Sequence, residues 1–435
     1  MNSMTTNYDE SGKCAPKIKI AQKGLFIWGL ATIFYFFDNL LNVSPSAMKS
    51  ELMLEFNCSG AALGALASCY LWSYGLMQIP VGILMDKYGP RRLLTVASLS
   101  CALGSFVFGW AVTLEMAMLG RLLIGFGASF AVVGCTKIAS DWFPAKRFAL
   151  FIGLMVTIGM LGAAFGLSTV NLIVTQVGWR QAMCMAAVVG IIIAIMLWSL
   201  VRDKESASNI KVKNRTKINI FKDVMEVVKC PQAWIASSYA GLMFVPTLAF
   251  GALWGVPFLI EAHGYLPMEA GSIVSLIFIG WACGGPLFGW VSDHIGKRNL
   301  PMYIANITTL ATTLMIVYLP DISVPVMGLL MFLLGFCSSG FIIAFAVIKE
   351  KNRPELSGTA VGFINTLNTF GGAFFQYIIG RVLDSVSTGT IDATTGERLY
   401  TLHEYQEALI ALPVCLIISL VILFFLKETN CRSSY

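Results

Sequence analysis

Gly82-Ile83-Leu84-Met85-Asp86-Lys87-Tyr88-Gly89-Pro90-Arg91-Arg92 joins two long apolar stretches and packs an acid, three bases and two glycines into one short connection. Two apolar helices joined this tightly must be antiparallel neighbours. A joint carrying this much charge belongs at a membrane surface, because unpaired charge and irregular backbone are costly inside lipid. The spacing returns 207 residues later in Gly289-Trp290-Val291-Ser292-Asp293-His294-Ile295-Gly296-Lys297-Arg298. Gly82 falls on Gly289, Asp86 on Asp293, Gly89 on Gly296 and Arg91 on Arg298. A motif repeated at half the chain length implies two copies of one unit.

Composition supports a membrane protein. Hydrophobic residues make up 57% of the 435 and charged residues only 12%, where a soluble domain carries about a quarter, and the mean hydropathy is +0.74. Twelve apolar segments are expected at 24–44, 60–85, 93–113, 116–139, 148–174, 180–201, 233–260, 270–292, 300–319, 324–348, 357–383 and 405–427. Each is long enough to cross a hydrocarbon core of about 30 Å. The fold class is therefore an all-α membrane protein with twelve transmembrane helices in two pseudo-symmetric six-helix bundles. Its parts are a tail at 1–23, a bundle at 24–201, a basic linker at 202–232, a second bundle at 233–427 and a tail at 428–435.

Topology follows from the bases. With the N-terminus inside, 24 of the 30 Lys and Arg residues fall on cytoplasmic segments, the exceptions being Lys49, Arg121, Lys137, Arg180, Arg381 and Arg398. Both termini are then cytoplasmic. The net charge of +6 is read as topology-setting, so nucleic acid is not an expected partner. The linker from Arg202 to Lys229 reads as a solvated hinge that could touch acidic lipid. The loop from Asp384 to Glu404 reads as solvated, with a lid as the alternative. The 11 cysteines show no metal or disulfide spacing, and no early apolar core marks a cleavable signal. No metal and no cofactor is expected, and without a Gly-x-x-x-x-Gly-Lys-Ser/Thr loop ATP is not the energy source.

The paired six-helix pattern, the central hinge and the duplicated Gly-x-x-x-Asp-x-x-Gly-x-Arg joint resemble the major facilitator superfamily, from about residue 24 to 427. That resemblance implies a transporter in which the joint residues Gly82, Asp86, Gly89, Arg91, Arg92, Gly289, Asp293, Gly296 and Arg298 form gate elements. The acid is implied to contact a neighbouring helix end in the outward-facing state; a static loop pair is the alternative. Val43–Met48, Gln78–Gly82, Leu253–Leu259 and Gly371–Gln376 are similar to bacterial transporters of the phagosomal-transporter type, which implies uptake of amino acids or nucleosides. Helix five, with Gly153, Gly159, Gly162 and Gly166, lacks the Gly-Pro pair of the superfamily's drug-efflux motif.

Ionisable groups inside apolar helices are functional candidates by default. Asp38 is the one acid well inside the first bundle, and Asn39 beside it is a candidate solute-binding residue. A carboxyl group in low dielectric favours its neutral form, so it can take a proton on one side and release it on the other. Arg121 opens Arg121-Leu122-Leu123-Ile124-Gly125-Phe126-Gly127, which is similar to the superfamily's helix-four motif and implies proton transfer or substrate contact. A guanidinium there can hold a carboxylate with two bonds, either Asp38 as a structural pair or an anionic group of the solute. Lys137, further along the same helix, reads as a base reaching the cytoplasmic surface. Asn365, Asn368 and Gln376 supply amides suited to a polar solute, with interhelical bonding as the alternative. Tyr70, Trp72, Tyr74, Trp254 and Trp281 are candidate walls. Gly280 with Gly284, Gly285 with Gly289 and Gly358 with Gly362 read as close-packing pairs. His263, His294 and His403 are placed in loops.

The expected function is secondary active import of a small polar metabolite, an amino acid or related nutrient, by proton symport with alternating access. The carrier is expected to be a multi-pass monomer in a bacterial cytoplasmic membrane. The alternatives are efflux of a drug or siderophore-like compound by proton antiport, and transport of a nucleoside or organic anion. An enzyme is not expected, since no nucleophile, base and orienting group occur together.

Overall fold

A computed structural model describes residues 17–143, 145–202, 220–319, 322–353, 356–389 and 399–431. The tails to 16 and from 432, most of the linker, residues 390–398 and the side chains of Asp86, Lys146 and Arg147 lie outside the described residues.

All described elements are helical. The first half comprises α1 (Lys17–Val43), a 3-10 turn (Ser44–Met48), α2 (Lys49–Glu55), α3 (Gly60–Tyr88), α4 (Pro90–Gly109), α5 (Leu114–Trp142), α6 (Ala145–Val177) and α7 (Trp179–Leu200). After the short α8 (Ile220–Val228) come α9 (Pro231–Val245), a π-helix (Pro246–Trp254), α10 (Gly255–His263), α11 (Pro267–Ile295) and α12 (Asn299–Tyr318). Then follow α13 (Val324–Ser338), a 3-10 turn (Ser339–Ile342), α14 (Ile343–Lys351), α15 (Ser357–Val386), α16 (Leu402–Leu409) and α17 (Ala411–Phe424). All twelve apolar windows fall on helix, and ten spans among the described residues are long and apolar enough to cross a membrane. The two windows outside that set lie on α3 and α15, helices of 29 and 30 residues rich in Ser, Tyr, Asn and Gln that pack against each other.

Local chemistry sets the ends. Ser59 accepts from the Ala62 amide at the start of α3, Thr113 from Met116 at the start of α5, and Thr401 with Glu404 forms a reciprocal cap on α16. Gly89 between α3 and α4 has φ 78° and Gly296 after α11 has φ 70°. A side chain would strain both positions, which is why glycine recurs in the two joints. The halves share their dimensions. α3 and α11 are each 29 residues long and begin 207 residues apart, and α4 and α12 are each 20 residues.

The burial pattern is that of a protein in lipid. Leu76, Phe165, Ile195, Leu329 and Phe424 stand exposed, while Asp38, Arg121, Asn306 and Gln376 are buried. Two contacts between halves dominate, α3 against α15 and α6 against α11. The bundle therefore has a joint end, where Gly89 and Gly296 turn the chain, and an opposite end that carries α2, Gly264 and Tyr400.

Several expectations need correction. The apolar window at 233–260 is not one regular helix but is interrupted by the π-helix; Pro246 lacks an amide proton there and Pro257 follows within three residues of its end. The part of the linker in α8 is docked rather than solvated, with Val227 buried and Glu226 Oε1 3.3 Å from Arg353 Nε. His263, His294 and His403 occupy end turns of α10, α11 and α16 rather than loops. Gly280 and Gly284 pack against the Phe332–Phe336 backbone of α13, whereas Gly289 and Gly358 face open space.

Candidate functional site

Asp38, from the last turns of α1, is 1% exposed. Its Oδ1 accepts a hydrogen bond from the Tyr70 hydroxyl of α3 at 2.5 Å, and its buried Oδ2 has no partner. Arg121, from α5, is also 1% exposed. The pair does not form the direct bridge allowed for above. Tyr70 stands between them, bonded to the carboxylate through its hydroxyl and stacked with its ring centroid 5.0 Å from the guanidinium carbon.

The guanidinium instead closes the end of α1. Its Nη1 donates to the Leu41 carbonyl at 2.7 Å, and its Nη2 to Asn42 at 3.2 Å and to Ala67 of α3 at 3.5 Å. The last carbonyls of a helix have no partner within it and carry partial negative charge, so a cation there is doubly favoured. The Nε of Arg121 is buried without a partner. One turn further along α5, a Cβ on Gly125 would collide with the Tyr70 carbonyl and the Ser73 hydroxyl. Glycine is needed there so that α5 lies close against the Tyr70–Ser73 backbone of α3. Tyr74 stacks on Tyr70 with ring centroids 6.0 Å apart, and the Asn39 side chain donates to the Tyr35 carbonyl at 2.8 Å.

The amides of α15 divide their work. Asn365 donates to Gln78 Oε1 of α3 at 3.2 Å, so it binds across the halves. Gln376 donates to the Leu248 carbonyl of the π-helix at 2.8 Å and keeps an unpartnered buried Oε1. Asn368 is buried with Oδ1 unpartnered. Trp254 is fully buried, and its indole donates to the Gln376 carbonyl at 3.0 Å, so it presents no surface in this conformation. Trp72 packs on Phe370 with the rings tilted by 47°, and Trp281 packs on Phe244 and Phe341 with its indole nitrogen unpartnered. Lys137 lies 3.8 Å from Asp141.

The two joints hold different partners. Arg91 donates to the Trp198 carbonyl of α7 at 2.9 Å and stacks on its ring, while Arg92 is exposed. Arg298 is 7% exposed and bonds Asp293 and Glu350, each at 2.6 Å. Glu428 accepts the Arg298 and Asn299 amides, each at 2.9 Å, tying the C-terminal segment to the start of α12. Arg298→Ala would leave Glu350, 15% exposed, with the Thr429 hydroxyl but without its charged partner, an expected loss of about 1–3 kcal/mol. A fluorescence melt of the detergent-solubilised variant should show a Tm lower by several degrees, and an unchanged Tm would contradict the pairing.

This polar cluster lies inside an apolar helical bundle in which α3 matches α11 and α4 matches α12 in length. The model of the Major Facilitator Superfamily covers residues 27–376. The chain belongs to that superfamily. As a superfamily member it is a multi-pass membrane protein of the transporter kind rather than an enzyme. It is 25% identical over 375 residues to a lysosomal dipeptide transporter of Danio rerio, covering 81% of this chain and 77% of that one. It is 23% identical over 382 residues to a probable hexose phosphate transport protein of Chlamydia trachomatis, covering 81% and 83%. In structure it is similar to a bacterial homologue of the human lysosomal transporter Spinster, with TM-score 0.74 and 16% identity over 92% of this chain and 96% of that one. This last likeness concerns the fold alone.

Two features of this site are not legible in the sequence. Tyr70 was legible only as one wall aromatic among five. Lys49, one of the six bases outside the expected cytoplasmic segments, is 5% exposed in α2 and ion-paired with Glu261 of the other half. Nothing in the neighbourhood of Lys49 signals a partner 212 residues away.

Proposed function

We propose that this chain is a proton-coupled importer of a small polar metabolite bearing a carboxylate or phosphate: an amino acid, a short peptide, a sugar acid or a sugar phosphate. It acts as a monomer in the cytoplasmic membrane of a bacterium, with both termini inside, as the distribution of bases and the chlamydial relative support. The observation that carries the reading is the buried Asp38–Tyr70–Arg121 cluster, with one carboxylate oxygen and one guanidinium nitrogen unpartnered.

The cluster suits coupling. Ionised Asp38 holds the Tyr70 hydroxyl in a charge-assisted bond, which is about twice as strong as a neutral one. A proton on Oδ2 weakens that bond and loosens the ring beneath Arg121. The guanidinium then has a free Nε and loosened neighbours with which to meet an anionic group of the solute. Solute and proton are thus favoured together. Each proton carried inward contributes about 2.3 kcal/mol per 100 mV. Dipeptides and hexose phosphates, named for the two relatives, both bear an anionic group and several hydrogen-bonding groups. Asn368 Oδ1 and Gln376 Oε1, both unpartnered, offer acceptors for the latter.

A thermal-shift series on purified protein tests the solute class. A ligand present at a hundred times its Kd stabilises by about 2.7 kcal/mol. One carboxylate- or phosphate-bearing group should raise the Tm, and its neutral ester or amide should not. Shifts from neutral nucleosides or bulky cations alone would overturn the anionic reading. In proteoliposomes an inward proton gradient should drive accumulation of that solute; uptake indifferent to the gradient would overturn coupling.

A further inference from the structure

The end opposite the joints holds a small polar cavity that has no residue in common with the Asp38–Tyr70–Arg121 cluster. The halves meet around this end through polar contacts. Asp384 of α15 accepts the Gly60 and Ala61 amides of α3 at 2.8 and 2.7 Å. The Ser46 hydroxyl donates to the Leu253 carbonyl of the π-helix at 2.7 Å, and the Asn171 side chain of α6 to the Pro267 carbonyl of α11 at 2.8 Å. Ser46 and Asn171 also line a cavity of about 120 Å³. Lys49, Ser50 and Glu51 stand beside them on the first-half wall; Val256, Pro257, Ile260 and Glu261 form the wall from the second half. At about 30 Å³ per water the space holds about four waters, or one molecule the size of glycine or alanine.

The buried charge in this wall is incompletely met. Lys49 pairs with Glu261 Oε1, and its ammonium lies 5.0 Å from the Tyr400 ring centroid. An ammonium has three donors, and no second hydrogen-bond acceptor meets this one among the described residues. Glu261 is better supplied, since its Oε2 accepts the Tyr400 amide at 3.0 Å and the Tyr405 hydroxyl at 3.2 Å. A desolvated ammonium with spare donors favours an oxygen ligand. Ser50, half-buried, offers a further hydroxyl beside it. Asn171 commits its amide nitrogen to Pro267 and leaves Oδ1 as an acceptor on the same wall.

These groups select a zwitterion. A bare carboxylate would gain Lys49 but face the charges of Glu51 and Glu261, and a bare ammonium would gain those acids but face Lys49. Such like-charge contacts cost more in a partly desolvated site than in water. An α-amino acid carries both charges on neighbouring groups. Its carboxylate can meet Lys49 and Ser50 while its ammonium meets Asn171 Oδ1 and the charge of Glu51. The apolar wall of Val256, Pro257 and Ile260 leaves no partner for a polar side chain, and the volume leaves no room for a long one.

We propose that this cavity is a regulatory binding site for a small free α-amino acid, separate from the site of the transported solute. Its walls come from both halves, so the site is complete only while they meet at this end. A ligand that binds one conformation alone raises the population of that conformation, so a filled cavity slows the transport cycle. That consequence rests on the importer function proposed here; the binding itself does not.

The probe is glycine, added to the purified full chain without solute or proton gradient. Glycine should raise the Tm saturably and slow amide hydrogen exchange at least threefold in both α2 and α10, which supply one wall each. Acetate, methylammonium and leucine at the same concentration should do neither. Ser50→Leu fills the space and removes a donor, and Thr175→Phe narrows the same cavity from α6. Neither removes the Lys49–Glu261 pair, and each should lose the glycine response, whereas Asp38→Asn should keep it. No response to glycine, or an equal response to acetate or leucine, would overturn the proposal. So would a response that Asp38→Asn loses and Ser50→Leu keeps, which would put glycine at the central cluster, or slowed exchange in one wall only. Because no uptake is measured, failure of this site and failure of the coupling assignment are read separately.

Discussion

Asp38→Asn is expected to abolish uphill accumulation of the solute while leaving solute-for-solute exchange within about threefold of the parent protein. Asparagine has the same shape and keeps an oxygen that can accept from the Tyr70 hydroxyl, so the contact between α1 and α3 survives. It cannot take up and release a proton. With one proton per solute and 100 mV inside negative, about 2.3 kcal/mol supports roughly a fiftyfold accumulation ratio for an uncharged solute. In the variant the ratio should fall to the value that the solute's own charge dictates. Counterflow of labelled solute at equal concentrations reads exchange, and uptake under an imposed gradient reads coupling. Accumulation retained in the variant would remove Asp38 from the proton path and leave an uncoupled facilitator as the reading.

How far the sequence speaks can be seen residue by residue. The twelve apolar windows and the two joints were legible because hydropathy and charge are local properties, and Gly89 and Gly296 mark backbone that only glycine adopts easily. Asp38 and Arg121 were legible for a related reason: an ionised group in lipid is expensive, so its presence alone is informative. Their relation was not. Which side chains meet across three helices depends on helix rotation, and a tyrosine in an aromatic-rich stretch looks the same whether it faces lipid or bridges two charges. The π-helix at Pro246–Trp254 was hidden because a stretch apolar on every side shows no period to measure. Lys49–Glu261 and Asp384–Gly60 join residues 212 and 324 positions apart. They follow from the packing of two halves, which no single segment encodes. The gate role of Asp86 is still carried by the family resemblance, since that side chain lies outside the described residues.

Arg121→Lys is expected to lower transport kcat/KM by at least about a hundredfold, at a charge that stays the same. Lysine keeps the positive charge, so a role confined to electrostatic attraction would survive the change. What it loses is the planar fork, which here reaches Leu41, Asn42 and Ala67 together while stacking on Tyr70. A single ammonium on a shorter stem can meet one or two of those carbonyls; Leu41 keeps the Ser44 hydroxyl as a donor at 2.9 Å, but the charged bonds that tie α5 to both α1 and α3 are lost. Each hydrogen bond to a charged group contributes about 1.5–3 kcal/mol, so two lost bonds correspond to two or more decades in rate. Tyr70→Phe separates the parts of this effect. It removes the bond to Asp38 but keeps the ring under Arg121, so the ring is released at every pH, and solute affinity should lose its dependence on pH while the charge and fork of Arg121 remain. If Arg121→Lys stays within threefold of the parent, the guanidinium's fork is dispensable. The clamp on α1 would then be packing alone, and the anion-binding role would have to pass to another base.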